Sequence, residues 1–232
     1  FNENVQKLHA DLRAVDSTLV GKASVEQQFN FIEPFYIAAT GYVMAFLAVI
    51  ISWVRWPQIM NKAAFGLICS CAVIHTIGIM FRIYIIGYAP VINLYSSAVF
   101  VGWGAVLLAL ALEAIFKNSM GNATAAIIGF ATLLVAHHLS VGGDTLEMLR
   151  AVLDNNFWLA THVIIITLGY SATFLAGTIG FIFILMSVLS HRVDKKTART
   201  FGSMVYGIVC FSTLFSFVAV SYTHLTLPTT RL

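Results

Sequence analysis

The chain has 232 residues, of which 59% are hydrophobic and only 10% charged, and its mean hydropathy is +0.87. Soluble globular domains run at about 45–50% apolar and about 25% charged residues, so a soluble enzyme is excluded and a multi-helix membrane protein is indicated. The net charge of +3 is too small to point to a nucleic-acid partner and reflects loop charges.

Residues 1–33 are polar, with Glu3, Asp11, Asp16, Glu26 and Glu33 against Lys7, Arg13 and Lys22. They read as a partly helical arm outside the membrane, without chemistry of their own. With no Met at residue 1 and no signal-peptide pattern, the arm is expected to continue from an earlier segment.

Residues 34–219 form the membrane domain. Apolar stretches at 35–54, 63–86, 95–116, 123–141, 161–189 and 201–219 have roughly the 20 residues needed to cross a bilayer core of about 30 Å. The fold class is therefore all-α, a polytopic transmembrane bundle of about six spans. The loops at 55–62, 117–122 and 190–200 hold Arg55, Lys62, Lys117, Arg192, Lys195, Lys196 and Arg199 against the single acid Asp194. The opposite loops, 87–94 and 142–160, hold only Arg150 with Asp144, Glu147 and Asp154. Lys and Arg concentrate on the cytoplasmic side, so the arm and the loops at 87–94 and 142–160 are expected to face outward. The three cysteines, Cys69, Cys71 and Cys210, lie in apolar runs and read as inert buried thiols.

The second span carries His75 near its middle and Arg82 near its outer end. Seven residues apart, they share a helix face. Ionisable groups at membrane depth usually face a partner or ligand, and a histidine below an arginine suits a haem on edge, iron to the imidazole and propionate to the guanidinium. A packing hydrogen bond from His75, with Arg82 snorkelling to the interface, fits the spacing equally. Asn93 is placed to cap the third span, and Glu113 stands four residues before Lys117, the spacing of a helix ion pair.

His137 and His138 end the fourth span. Adjacent helical residues point about 100° apart, so at most one can join His162 at a common site. In the loop 142–160, Asp144 and Glu147 have capping-box spacing, and Leu146, Leu149, Val152 and Leu153 fall largely on one face. A short amphipathic helix on the outer surface is expected. It leads to Asp154–Tyr170, where Trp158 and His162 stand one helical turn apart at the mouth of the fifth span. Aromatic rings collect at that depth, and a neutral imidazole there offers a ring nitrogen to iron. An interfacial histidine bonded to water or a carbonyl is the plainer reading. Gly169, Ser171, Ala172, Ala176, Gly177 and Gly180 fit close helix packing.

Two runs, His75-Thr-Ile-Gly-Ile-Met-Phe-Arg82 with Gly87-Tyr-Ala-Pro-Val-Ile-Asn-Leu-Tyr95, and Asp144-Thr-Leu-Glu-Met-Leu-Arg150 with Asn156-Phe-Trp-Leu-Ala-Thr-His162-Val and Leu168-Gly-Tyr170, resemble the cytochrome c biogenesis family CcsA, also called ResC. The likeness covers roughly residues 35–218. It implies a bacterial inner-membrane protein that binds haem b and presents it outside for attachment to apocytochrome c, beside a CcsB/ResB-like partner. Such proteins act as part of a cytochrome c synthase. It also implies that His162 is a haem ligand, with Trp158 in the same outer platform and His75 as a further candidate ligand within the membrane; Arg82 and His137 are candidate haem contacts by their position alone. Tyr88-Ala89 departs from the Arg-Pro or His-Ala often found there in relatives. The family's tryptophan-rich WWD motif and second external histidine are not in this sequence. Residues 220–232, from Val220-Ser-Tyr-Thr-His224, instead resemble a translated transposase sequencing adapter, so a non-native tail and an incomplete reaction are expected. Two other function classes fit the same residues. One is a haem-b electron-transfer subunit using His137 with His162, and the other is a cofactor-free transporter.

Overall fold

The computed structural model describes residues 17–141, 156–189 and 194–226, with side chains for 20–141, 157, 160–188 and 194–221. The expected arm at 1–16, the amphipathic surface helix within 142–155 and the tail from 227 onward lie outside the described residues.

Seven helices make up the described chain: α1 (Ser17–Ile32), α2 (Pro34–Val54), α3 (Pro57–Ile86), α4 (Leu94–Phe116), α5 (Met120–Val141), α6 (Asn156–Leu189) and α7 (Lys195–Thr226). Six segments are long and apolar enough to cross a membrane, with α1 and α2 counted together from Val20 to Val54. The chain is a multi-pass helical membrane bundle, as its composition requires. Many large apolar side chains face outward, among them Val54, Met80, Phe181 and Phe217. A surface of that kind is solvated by lipid, which provides no water to satisfy open backbone and so demands helices.

The breaks between helices follow local chemistry. Pro34 opens α2 and cannot donate to the turn before it. Glu33 takes the left-handed conformation at φ 48° and ends α1 there. Gly87, at φ 77°, closes α3 with its N–H on the Ile83 carbonyl, a conformation glycine adopts without strain. Asn93 caps α4 as expected: its Oδ1 accepts from the Ser96 N–H at 2.8 Å, and Ser96 Oγ accepts from the Asn93 N–H at 3.0 Å. The turn from α4 to α5 is tight, with Lys117 and Ser119 both left-handed. A Cβ on Gly121 would stand 2.6 Å from the Ala109 carbonyl oxygen, so only glycine fits that approach.

Helices α2, α3, α4 and α5 form one group, in which α5 packs on both α2 and α4. The α6–α7 pair leans on this group chiefly through α4. Contacts between helices pair small residues with hydroxyls, the usual device where lipid replaces water. Gly102 of α4 sits against Thr132 of α5, and Gly104 of α4 against Ser171 of α6. Ser212 of α7 donates to the Gly169 carbonyl of α6 at 2.9 Å. Gly177 and Gly180 differ from expectation, since among the described residues nothing would stand within 4 Å of a Cβ added at either. Cys210 is likewise exposed on α7, not buried as expected.

The bundle has two ends. The arm end gathers the start of α2, the end of α3, the start of α4, the end of α5 and the start of α6. The opposite, basic end gathers the loops around Arg55, Lys117 and Lys195.

Candidate functional site at the arm end of the bundle

A cleft of about 750 Å³ opens at the arm end where α1 meets α2. Its walls come from α1, α2, α3, α4 and α5, and its lining includes Arg82, Tyr95, Glu33 and His137 beside Phe29, Phe35, Tyr36 and Phe130. Arg82 is 6% exposed, and its guanidinium lies 4.5 Å from the centre of the Tyr95 ring. That cation–π contact fixes the charge at the cleft wall. His137 is exposed, with its ring 6.2 Å from that of Tyr36. His138 turns away, bringing Nδ1 to 2.9 Å from the Leu134 carbonyl, and only His137 of the two lines the cleft.

His75 and Arg82 share the buried face of α3, as their spacing predicts. They do not share the cleft. His75 is fully buried, with Nδ1 3.5 Å from the Tyr42 hydroxyl. The ring of Phe35, which lines the cleft, stands edge-on to the imidazole at 5.5 Å. Phe35 is held there by Phe29 at 5.8 Å and by the open face of Gly78, where a Cβ would come within 2.8 Å of the phenyl ring. Among the described residues, Nε2 of His75 finds no hydrogen-bond partner.

His162 lies half-buried in the first turns of α6, after the exposed Phe157. Trp158 stands one turn earlier on the same helix, and its side chain lies outside the described residues. Among the described residues, no α6 side chain lines the cleft. The arm end therefore carries Arg82 and His137 together at one place, with His75 behind Phe35 and His162 on a different helix. Among the described residues no three His, Cys, Asp or Glu side chains gather as a metal site.

The sequence reading misses one polar cluster at the basic end. Glu113 does not pair with Lys117, which leaves the helix in a left-handed turn. It is 4% exposed, and its carboxylate accepts from Asn61 Nδ2 at 2.9 Å, the Ser119 N–H at 3.0 Å and the Gly121 N–H at 3.2 Å. Asn122 Nδ2 donates to Asn61 Oδ1 at 2.7 Å, and its buried Oδ1 has no partner among the described residues. The signal in the sequence is three polar residues, Asn61, Glu113 and Asn122, at the same end of three apolar runs.

No family model matches the chain. It is 29% identical to protein NrfI of Wolinella succinogenes over 75% of its own length and 20% of that protein. It is 27% identical to the cytochrome c biogenesis protein CcsA of Marchantia polymorpha over 77% of its length and 57% of that protein. A third relative, protein HemX of Brevibacillus brevis, is 29% identical over 59% of the chain and 47% of that protein. The chain thus spans a fifth of one of these relatives and about half of the other two. The chain is thus similar to cytochrome c biogenesis proteins of the CcsA type over about three quarters of its length.

Proposed function

We propose that this protein serves cytochrome c maturation, binding haem as its cargo and presenting it for covalent attachment to apocytochrome c. The similarity to CcsA and NrfI supports the process. The observation that carries the reading is at the arm end. Arg82 and His137 meet in one cleft there, and His162 begins the longest helix of the bundle at the same end.

The basic loops support placing the arm end outside, since Lys and Arg stay on the cytoplasmic side. The membrane would be the bacterial inner membrane, with residues 1–33 extracytoplasmic. His162 is the proposed axial ligand. Iron ligation takes a ring nitrogen of a neutral imidazole, and His162 stands half-buried near the start of α6. Trp158, one turn away, would line the same platform. His137 is a second imidazole for the arm end, and Arg82 offers a guanidinium fork that matches a propionate. His75 is a ligand candidate only where Phe35 moves aside. The cargo, haem b, supplies the vinyl groups that become thioethers with the Cys-x-x-Cys-His of the apocytochrome. The protein supplies position and shelter from water. A CcsB/ResB-like membrane protein is the proposed partner.

The test is haem retention by the protein purified in lipid nanodiscs. His162→Ala should lose most of the Soret absorbance and shift the pyridine-independent ligand spectrum, and added imidazole should restore it. An unchanged spectrum and an unchanged haem content in His162→Ala overturn the reading.

A further inference from the structure

The link between α2 and α3 consists of two residues, Arg55 and Trp56. Both flanking helices are long and apolar enough to cross the membrane, so this corner lies at a membrane surface whichever way the bundle faces. We propose that the α2–α3 corner is an interaction surface for an acidic phospholipid, with the phosphate on Arg55 and Lys62 and the acyl chains on the lipid-facing side of α3. This site depends on neither the haem reading nor the orientation of the bundle.

Charge selects the headgroup. Arg55 is exposed, and its guanidinium lies 5.6 Å from the centre of the Trp56 ring. Stacking occupies the face of a guanidinium and leaves its N–H edge open to a phosphate. The backbone beneath is fixed, since the Arg55 N–H donates to the Ile51 carbonyl and the Met60 N–H to that of Trp56. Lys62 is exposed as well. Among the described residues neither cation has a carboxylate partner. Glu113, which bonds the neighbouring Asn61, is buried and already accepts from that amide and two backbone N–H groups. Two uncompensated positive charges therefore face the headgroup layer, where an acidic lipid supplies the opposite sign. A zwitterionic headgroup brings an ammonium of its own to the same place and gains less.

Shape places the chains. Val73 and Met80 follow Lys62 by 11 and 18 residues, which returns them to within about 20° of its direction on the helix. They are 59% and 61% exposed. The face of α3 that carries Lys62 is thus the face that meets lipid, and a lysine there lays its stem along hydrocarbon and sends its ammonium to the headgroups. One turn further on, nothing among the described residues would stand within 4 Å of a Cβ added at Gly66. The bare backbone leaves a shallow notch between Lys62 and Val73 in which an acyl chain can lie. Trp53 and Trp56, both half exposed, sit at the same corner, at the depth where indoles collect.

The test is quenching of tryptophan by lipids brominated in the acyl chain, with the whole protein in phosphatidylcholine nanodiscs. Brominated phosphatidylglycerol, added as a minor component, should quench more than the same fraction of brominated phosphatidylcholine. A basic residue beside an anionic surface is worth about fivefold in binding, so Arg55→Gln combined with Lys62→Gln should weaken the apparent affinity for brominated phosphatidylglycerol by about tenfold or more. Lys195→Gln, a separate cation of the same end on α7, should change it by less than about twofold. Trp53→Phe combined with Trp56→Phe should abolish the extra quenching, because Trp103 and Trp158 are not at the corner. Equal quenching by the two brominated lipids in the unaltered protein overturns the proposal, and that arm needs no variant to fold. A preference that survives the double glutamine variant, that Lys195→Gln reduces equally, or that persists without Trp53 and Trp56 overturns it too. Loss of the preference on adding inorganic phosphate at constant ionic strength assigns the corner to free phosphate and also overturns it.

Discussion

Replacing Glu113 by leucine tests the reasoning about buried polar groups most directly. Three donors converge on this carboxylate: Asn61 Nδ2, the Ser119 N–H and the Gly121 N–H. They come from the start of α3 and the turn that joins α4 to α5, so the carboxylate ties three elements together. A hydrogen bond to a charged group contributes about 1.5–3 kcal/mol, and a buried donor left alone costs a similar amount. The Gly121 amide is buried, whereas Asn61 and Ser119 regain some water once released. Discounting those two, the loss should be about 3 kcal/mol. Glu113→Gln keeps an acceptor oxygen but turns an amide NH₂ toward the backbone donors, so roughly half that loss is expected. The assay is reversible unfolding in mixed micelles, followed by tryptophan fluorescence. Asn61→Ala completes a double-mutant cycle, in which residues of one network should couple by about 1 kcal/mol or more. A loss under about 1 kcal/mol for Glu113→Leu, or strict additivity with Asn61→Ala, refutes the clamp.

Asn93→Ala removes the α4 cap and should cost about 1 kcal/mol, while Asn93→Asp should recover most of it; equal stability of the alanine and aspartate variants counts against a capping role. Asp194 lies outside the spans at the start of α7. The hydroxyl of Thr197 and then its N–H, at 2.9 Å from Oδ1, hold its carboxyl below the usual range. Its folded-state pKa is depressed, so its small stabilisation of the helix start is present above the ordinary carboxylate range and is lost as pH falls through the depressed value. Thr197→Val should raise the midpoint of Asp194 in a carbon-detected NMR titration, and an unmoved midpoint rejects the cause. For orientation, Glu33→Cys in a background without Cys69, Cys71 and Cys210 should react with an impermeant maleimide added outside intact cells, and Lys117→Cys only after permeabilisation. The reverse pattern turns the bundle over.

Much of the architecture was readable because lipid imposes it. A stretch such as 95–116 must be helical wherever it crosses hydrocarbon, and Leu94–Phe116 follows it within a residue. Capping chemistry was equally local, and Asn93 does what an asparagine at that place does. Residues that share a helix face were legible too, since His75 and Arg82 both face the core. The partners of those faces were not, because no periodicity tells which side chain of another helix arrives opposite. Phe35, forty residues before His75, closes it off from the cleft. Gly78 makes the room for that ring, and nothing near either residue announces it. Glu113 shows the same limit at the basic end. The spacing to Lys117 is right for an ion pair, but the turn swings Lys117 out and delivers two backbone amides and Asn61 instead.

These two cases meet in the cleft. Each of its walls belongs to a different helix, and each helix is placed by contacts far from the arm end. The α4–α5 turn at Glu113 sets how α5 runs back toward Phe130 and His137. The contact of Tyr42 with Gly129, where a Cβ would come within 2.8 Å of the ring, sets how closely α2 lies against α5. Widening either contact should open the cleft between Tyr36 and His137 before it disturbs Arg82, because α3 is held separately by Tyr95 and Phe35. The cation side of the cleft and its imidazole side thus rest on different supports. A small shift in α5 is therefore expected to change which ligands fit while leaving the guanidinium where it is.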